Sequence, residues 1–310
     1  QTHIREFLRL GCSIVALVDP SLPAVERTLN EFPVLAGTRG FGSFEEFIKD
    51  PQCDMVVISS PHTIHADQVV ASLASGLHVL CDKPLVTTVG DAHRVISARD
   101  AANRVAAIAY QRHADGAWKW LREAVQDGRF GKIRMVNSHL GQQWLQLTRG
   151  SWRQLKSLSG GGQLNDSGSH MLDVLLWATG LRASSVSAYM DFCGTEVDIN
   201  STVSVLFTGG EMATLTVVGD AALWHERHFI WFEEAMVALA DGTAEVWQRD
   251  GTHSKIDQFP RWPGIQENFL AAIESGAEVL APFECGLRTI ELTEAAWRSH
   301  DQGGASVKVE

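Results

Sequence analysis

Short apolar runs separated by helical stretches constrain this chain more than any other feature. Ile14–Val18, Met55–Ser59, His78–Cys81 and Val105–Ala109 are apolar through both of their alternating faces. A strand of that kind needs cover on both sides. Helical segments at Pro23–Asn30, Ile64–Ser75 and Val89–Asn103 lie between the runs and supply the cover. The alternation predicts a doubly wound, Rossmann-like parallel sheet over residues 1–112. Ligands of such sheets bind beyond the carboxyl ends of the strands. Residues that follow each run are therefore the first candidates for a site.

The pattern changes after a helical stretch at Ala114–Gln126. Ile133–Leu140, Ser185–Phe192, Thr202–Phe207, Ala213–Val218, His228–Leu239 and Ala244–Gln248 are longer and partly alternating, with turns at Gly209-Gly210, Asp241-Gly242 and Asp250-Gly251. Residues 113–310 are expected to form a mostly antiparallel sheet with one face open. Helices at Pro263–Ser275 and Gly286–Ser299 and a last strand at Ser306–Val309 complete this α+β domain. A sheet that wide usually buries its open face against another subunit, so a homodimer or homotetramer is expected.

The chain opens with what reads as the body and end of a helix, and its first strand ends in Asp19. An acid there fits the second strand of a dinucleotide domain. The first strand and its glycine-rich turn are expected to lie ahead of this sequence; the alternative is a natural truncation that lost them. A true loss would leave unpaired backbone groups in mid-sheet.

Charge narrows the partners. With 26 basic against 37 acidic residues the net charge is −11, and no basic cluster offers a footprint for nucleic acid or an anionic membrane. No apolar run approaches the roughly 20 residues of a membrane span. Cys12, Cys53, Cys81, Cys193 and Cys285 are odd in number and form no Cys-x-x-Cys pair. Free thiols in a reducing compartment, the cytoplasm, are the plain expectation.

Two segments carry chemistry. Gly160–Asp173 is predicted to run from glycines into a helix with Asp166, His170 and Asp173 on one face. An acid beside an imidazole serves proton transfer, although the same residues also describe a helix start with a dipole-favoured acid and a satisfied histidine. No metal is expected, because the third group lies a further turn away. Cys81-Asp82-Lys83-Pro84-Leu85 falls where a parallel strand ends, and Pro84 stiffens the turn that presents Lys83. An ordinary surface lysine is the plain alternative. Asp19 could accept the ribose hydroxyls of NAD and would repel a 2′-phosphate; with no arginine before Arg27, NADP is disfavoured.

In order and spacing these segments resemble the glucose–fructose oxidoreductase and inositol dehydrogenase (Gfo/Idh/MocA) family. Val56–His65, Gly76–Leu85, Tyr110–Arg112, Gly128–Ile133, Trp152-Arg153, the 160–173 stretch and Asn268–Ile273 through Gly286–Arg288 carry the likeness. Asp82 departs from it, standing where the family usually has Glu, and the glycine fingerprint is not present. The resemblance implies an NAD-dependent oxidoreductase that moves a hydride between a secondary alcohol of a sugar, polyol or cyclitol and the nicotinamide. Lys83 and His170 would grip the hydroxyl, with His170 as base and Asp166 orienting its ring. Ser60, Pro61, His62, His65, Asp82 and Lys83 would line the dinucleotide's path, with Lys83 at its nicotinamide end, and Arg112, Trp152 and Arg153 would meet substrate. Two relatives of different use share the fold: enzymes that cleave glycosidic bonds through a redox cycle on held NAD, and dinucleotide-sensing regulatory proteins. A sensor has no need of the Lys83, Asp166 and His170 set.

Overall fold

The computed structural model describes residues 1–310. Its first half holds five short parallel strands: β1 (Ala16–Val18), β2 (Arg39–Phe41), β3 (Met55–Ile58), β4 (His78–Cys81) and β5 (Ala106–Ile108). They form a pair, β1-β2, and a triplet, β3-β4-β5. No ladder joins β1 to β3, so each presents an unpaired edge to the other group. β4 and β5 are the buried centre: Val79, Leu80, Cys81 and Ile108 are fully buried. Helices His65–Ala74 and Val89–Ala102 cover the triplet and pack on each other. Thr88 starts the second of these by accepting the Asp91 N–H, and Asn103 stops it in the left-handed region.

The second half is one nine-stranded sheet. In chain order it uses β6 (Ile133–Gly141), β7 (Ala183–Asp191), β8 (Asn200–Phe207), β9 (Met212–Val218), β10 (His225–Phe232), β11 (Ala235–Ala240), β12 (Thr243–Gln248), β13 (His253–Ile256) and β14 (Val307–Lys308). Across the sheet the order is β13-β12-β11-β10-β6-β9-β8-β7-β14. Every pair is antiparallel except β6 with β9. The single strand expected at His228–Leu239 is two: the chain reverses at Glu233-Glu234 between β10 and β11. Apolar residues flank the two glutamates on both sides and no glycine, proline, asparagine or aspartate marks the turn, which hid it from the periodicity.

Alternation sorts the two faces. Val136, Leu140, Val203, Val205, Leu215, Val217 and Ile230 point into a core shared with Met171, Leu172 and Leu175 of the helix Gly168–Thr179. Burying a leucine such as Leu215 contributes roughly 2 kcal/mol. On the other face, register aligns one side chain from each of six strands: Trp247, Met236, Trp231, Met135, Met212 and Leu206 are directly paired neighbours. Four of these six, Trp247, Trp231, Met212 and Leu206, are exposed.

The C-terminal helices bind both halves together. Ile265, Phe269, Phe283 and Ile290 belong to the core of the parallel sheet. Further along the same last helix, Leu292, Ala295 and Ala296 enter the core of the large sheet. That helix also holds the glycine run, because Trp297 donates its indole N–H to Asp198 at 3.0 Å. Asp198 in turn accepts the N–H groups of Gly162 and Leu164, both at 2.9 Å. A Cβ on Gly162 would lie 1.8 Å from the Asp198 carbonyl oxygen, so only glycine fits there. Gly162→Ala is expected to destabilise the protein by about 3 kcal/mol or to prevent folding, read by urea denaturation.

Candidate active site

The site forms where the loop after β4 meets the turn that follows the glycine run. Lys83 Nζ lies 2.5 Å from Asp166 Oδ1 and also donates to the Asp166 carbonyl at 3.2 Å. The other carboxylate oxygen accepts the Trp144 indole N–H at 2.8 Å and the Arg153 Nε–H at 3.2 Å. Burial alone would raise the pKa of Asp166, but the Lys83 ammonium and these donors hold it well below the usual carboxylate range. Asp166 is therefore an ionised anchor for Lys83 and no proton donor at neutral pH.

The helix expected to carry Asp166 begins two residues after it, at Gly168. Asp166 sits in the preceding turn, and its carboxylate makes no hydrogen bond to His170. The glycine run's backbone turns toward Asp198 before helical geometry sets in, which the side-chain spacing could not convey. His170 occupies the first turn of the helix and keeps part of its surface open, while its Nδ1 is buried without a partner. Burial, then the nearby Lys83 and Arg112 charges, push its pKa well below the ordinary histidine value. The ring is neutral at pH 7, the state a base requires.

Asp173 belongs to a different set. It faces His113 at 2.8 Å, and the other His113 nitrogen faces the Leu280 carbonyl at 2.6 Å. This pair is fully buried and packs His113 flat on Trp177 with ring centroids 4.3 Å apart. Cys285 brings a third donor close to both. However, both His113 nitrogens are already engaged, and burial keeps the Cys285 thiol protonated by raising its pKa.

The residues expected along the dinucleotide's path divide into open and closed. Asp19 follows β1; one carboxylate oxygen accepts the Ser21 N–H at 2.7 Å and the other is free. Asp82 and Lys83 follow β4, and the Lys83 N–H donates to Asp82 at 3.0 Å. Burial works against the Asp82 carboxylate, but His3, 3.9 Å away, and Lys83 bring its pKa to about 2. The Ser60 hydroxyl donates to Gln68 at 2.7 Å, and Pro61 precedes a single 3-10 turn, His62–Ile64. His62 is buried, its Nδ1 3.2 Å from the Ser159 carbonyl, and burial lowers its pKa to about 3. His65 is wholly buried, with both ring nitrogens on main-chain carbonyls.

On the substrate side, the Arg112 guanidinium is held in a two-pronged pair by Glu226 of β10. Glu226 also meets His228 at 3.1 Å, and its pKa falls to about 2: burial opposes this, and the His228 and Arg112 bonds prevail. Arg153 spans the Trp152 ring at 4.5 Å, and His62 meets that ring edge-on at 4.7 Å. Only Nε of Arg153 is engaged, and the partly exposed guanidinium keeps its two outer nitrogens unpaired. Trp144, Glu226 and Asp198 escaped the sequence reading, since nothing in their local sequence separates them from ordinary core or surface residues.

Asp19 has a carboxylate oxygen to spare at the end of β1, and the Asp82–Lys83 turn stands at the end of β4. The fold is that of an NAD-binding oxidoreductase. Residues 1–110 match the family description "Oxidoreductase family, NAD-binding Rossmann fold", and residues 118–238 match the GFO/IDH/MocA C-terminal domain. The chain belongs to the GFO/IDH/MocA family of oxidoreductases. It is 25% identical over 308 residues to an uncharacterized oxidoreductase of Rhizobium meliloti, covering 94% of this chain and 90% of that one. It is 28% identical over 181 residues to levoglucosan dehydrogenase of Pseudarthrobacter phenanthrenivorans, covering 55% of this chain and 46% of that enzyme. In fold it is similar to the WlbA dehydrogenase of Chromobacterium violaceum, solved with NADH and UDP-GlcNAcA. That likeness has a TM-score of 0.87 at 22% identity, over 100% of this chain and 92% of the other.

A histidine held neutral by burial costs stability in acid. Below pH 6.5 the unfolded chain protonates His62 while the folded chain resists until about pH 3, so stability falls as pH drops through that window. His62→Gln is expected to flatten that part of the stability–pH curve, measured by urea denaturation across the window.

Proposed function

We propose that this protein oxidises a secondary alcohol of a sugar, polyol or cyclitol with NAD, or reduces the matching ketone with NADH. The observation that carries the reading is Lys83 pinned to ionised Asp166 at the carboxyl end of β4, with neutral His170 one turn further on. NAD, when bound, supplies the hydride acceptor. Asp19 would hold the adenosine ribose, and the Asp82–Lys83 turn would stand against the nicotinamide end. Lys83 donates to the substrate oxygen and fixes it; His170 removes the hydroxyl proton through its open edge. Asp166 keeps Lys83 in place and its positive charge compensated, and offsets the charge His170 gains. Trp152 and Arg153 border the substrate, while Arg112 shapes the wall through Glu226. The levoglucosan dehydrogenase relative supports a carbohydrate-like substrate.

We further propose that two copies pair through the open face of the large sheet. The aligned row of Trp247, Met236, Trp231, Met135, Met212 and Leu206 crosses six strands and presents a continuous apolar band. Bands of that extent mark association surfaces. No helix is long and apolar enough to cross a membrane. All five cysteines are unpaired, which suits a reducing compartment such as the cytoplasm.

Lys83→Ala and His170→Ala are each expected to lower kcat on polyols by on the order of 100-fold or more, with NAD affinity changed less than about twofold. Steady-state kinetics and NAD titration read the two quantities; full turnover in either variant removes that residue's role. Trp231→Glu is expected to convert the oligomer to monomer in sedimentation velocity. An unchanged sedimentation coefficient places the interface elsewhere.

A further inference from the structure

His65 begins the helix His65–Ala74, beneath the two strand ends that carry Ser60 and Lys83, and has no exposed surface. Nδ1 lies 2.9 Å from the Pro84 carbonyl oxygen, and Nε2 lies 2.9 Å from the Ser60 carbonyl oxygen. Carbonyl oxygens only accept. A neutral imidazole owns one N–H, so a neutral ring would turn a lone pair against one of these oxygens in a place closed to water. A ring with a proton on each nitrogen satisfies both.

The surroundings bear on that charge. Cys81 Sγ is 3.5 Å from Nδ1, and burial raises the Cys81 pKa and keeps the thiol neutral. The His62 ring is 5.7 Å away and neutral, its pKa lowered to about 3 by burial. Asp82, beyond β4, is the anion that acts on the ring. Burial is the largest influence on His65 and its net effect is a pKa below the ordinary histidine value, although the carbonyls and Asp82 draw it up. Against that pull stands the geometry: each ring nitrogen lies 2.9 Å from an oxygen that can only accept, an arrangement that only the doubly protonated ring satisfies.

We propose that His65 is the positioning residue of the Lys83 turn: carrying a proton on each ring nitrogen, it ties the end of β3 at Ser60 to the end of β4 at Pro84. Pro84 directly follows Lys83, so this tie fixes where the Lys83 ammonium stands and lets it meet Asp166 and the substrate oxygen at once. The same ring cannot line the dinucleotide's path, since no part of it is open. The inference rests on the proposed function only in naming Lys83 as the group that holds the reacting oxygen.

Two readouts test it. The whole protein, labelled with 15N-histidine and free of substrate, is read by NMR near neutral pH, with His65 assigned by the resonance lost in His65→Gln. Both ring nitrogens of His65 are expected to be protonated; a neutral-ring pattern overturns the proposal. In kinetics, His65→Gln is expected to lower kcat by on the order of 10- to 100-fold, with KM and NAD affinity within about twofold of wild type, as a displaced but intact Lys83 would cause. An unchanged kcat, or a loss confined to KM, overturns the positioning role. Should the Gln variant fail to fold, the wild-type ring is assigned through bonds from its own Cβ, and its protonation decides. If no polyol is turned over, the proposed function fails while the NMR result stands or falls by itself.

Discussion

The Lys83–Asp166 contact joins the two halves of the molecule, and the site is built around it. One partner comes from the end of a parallel strand and the other from a turn of the second domain, 83 residues apart. Both are largely out of water, with side chains 17% and 6% exposed. Burying two charges costs several kcal/mol each before they attract, so such a pair persists only if its remaining valences are filled. They are filled here: Trp144 and Arg153 donate to the carboxylate, and the Asp166 carbonyl takes a second bond from the ammonium. The pair is thus a fixed charge arrangement around which a substrate oxygen can be placed.

What surrounds it is graded by burial. His62 and His170 are held neutral by loss of water, while Asp82, Asp166 and Glu226 stay ionised because cations or donors stand against them. Groups of opposite tendency lie side by side, an arrangement that fits the base and the electrostatic clamp of the proposed function at one pH. Asp198 and Trp297 work one layer further back: they mould the glycine run, and the run sets the turn on which Asp166 stands. Positioning therefore reaches the site from the last helix of the chain.

Much of the architecture was legible in order. The parallel strands read clearly because both faces are buried, and β6 to β9 read through alternation and glycine turns. The hairpin between β10 and β11 did not, since the reversal is marked only by Glu233-Glu234, with no glycine or proline, inside a run that is apolar on both sides. Lys83, Asp166 and His170 were singled out, and the structure gathers all three at one place. Their mutual arrangement was not legible: Asp166 was expected beside His170 on a helix, whereas it leaves the helix out and turns to Lys83. Arg112 reads as a free cation in sequence and is paired with Glu226, 114 residues away.

The sequence by itself determined the class of fold and a short list of candidate site residues. Burial on two faces, alternation on one, and glycines where no Cβ fits are local demands that each segment states alone. Only the tertiary structure decided which charges are paired, which histidines are neutral and which nitrogens are already occupied. Those properties depend on distances between residues far apart in the chain and on how much water is shut out between them. His65 illustrates the division: its place in the chain suggested a ligand-lining ring, and its two carbonyl neighbours close that ring off.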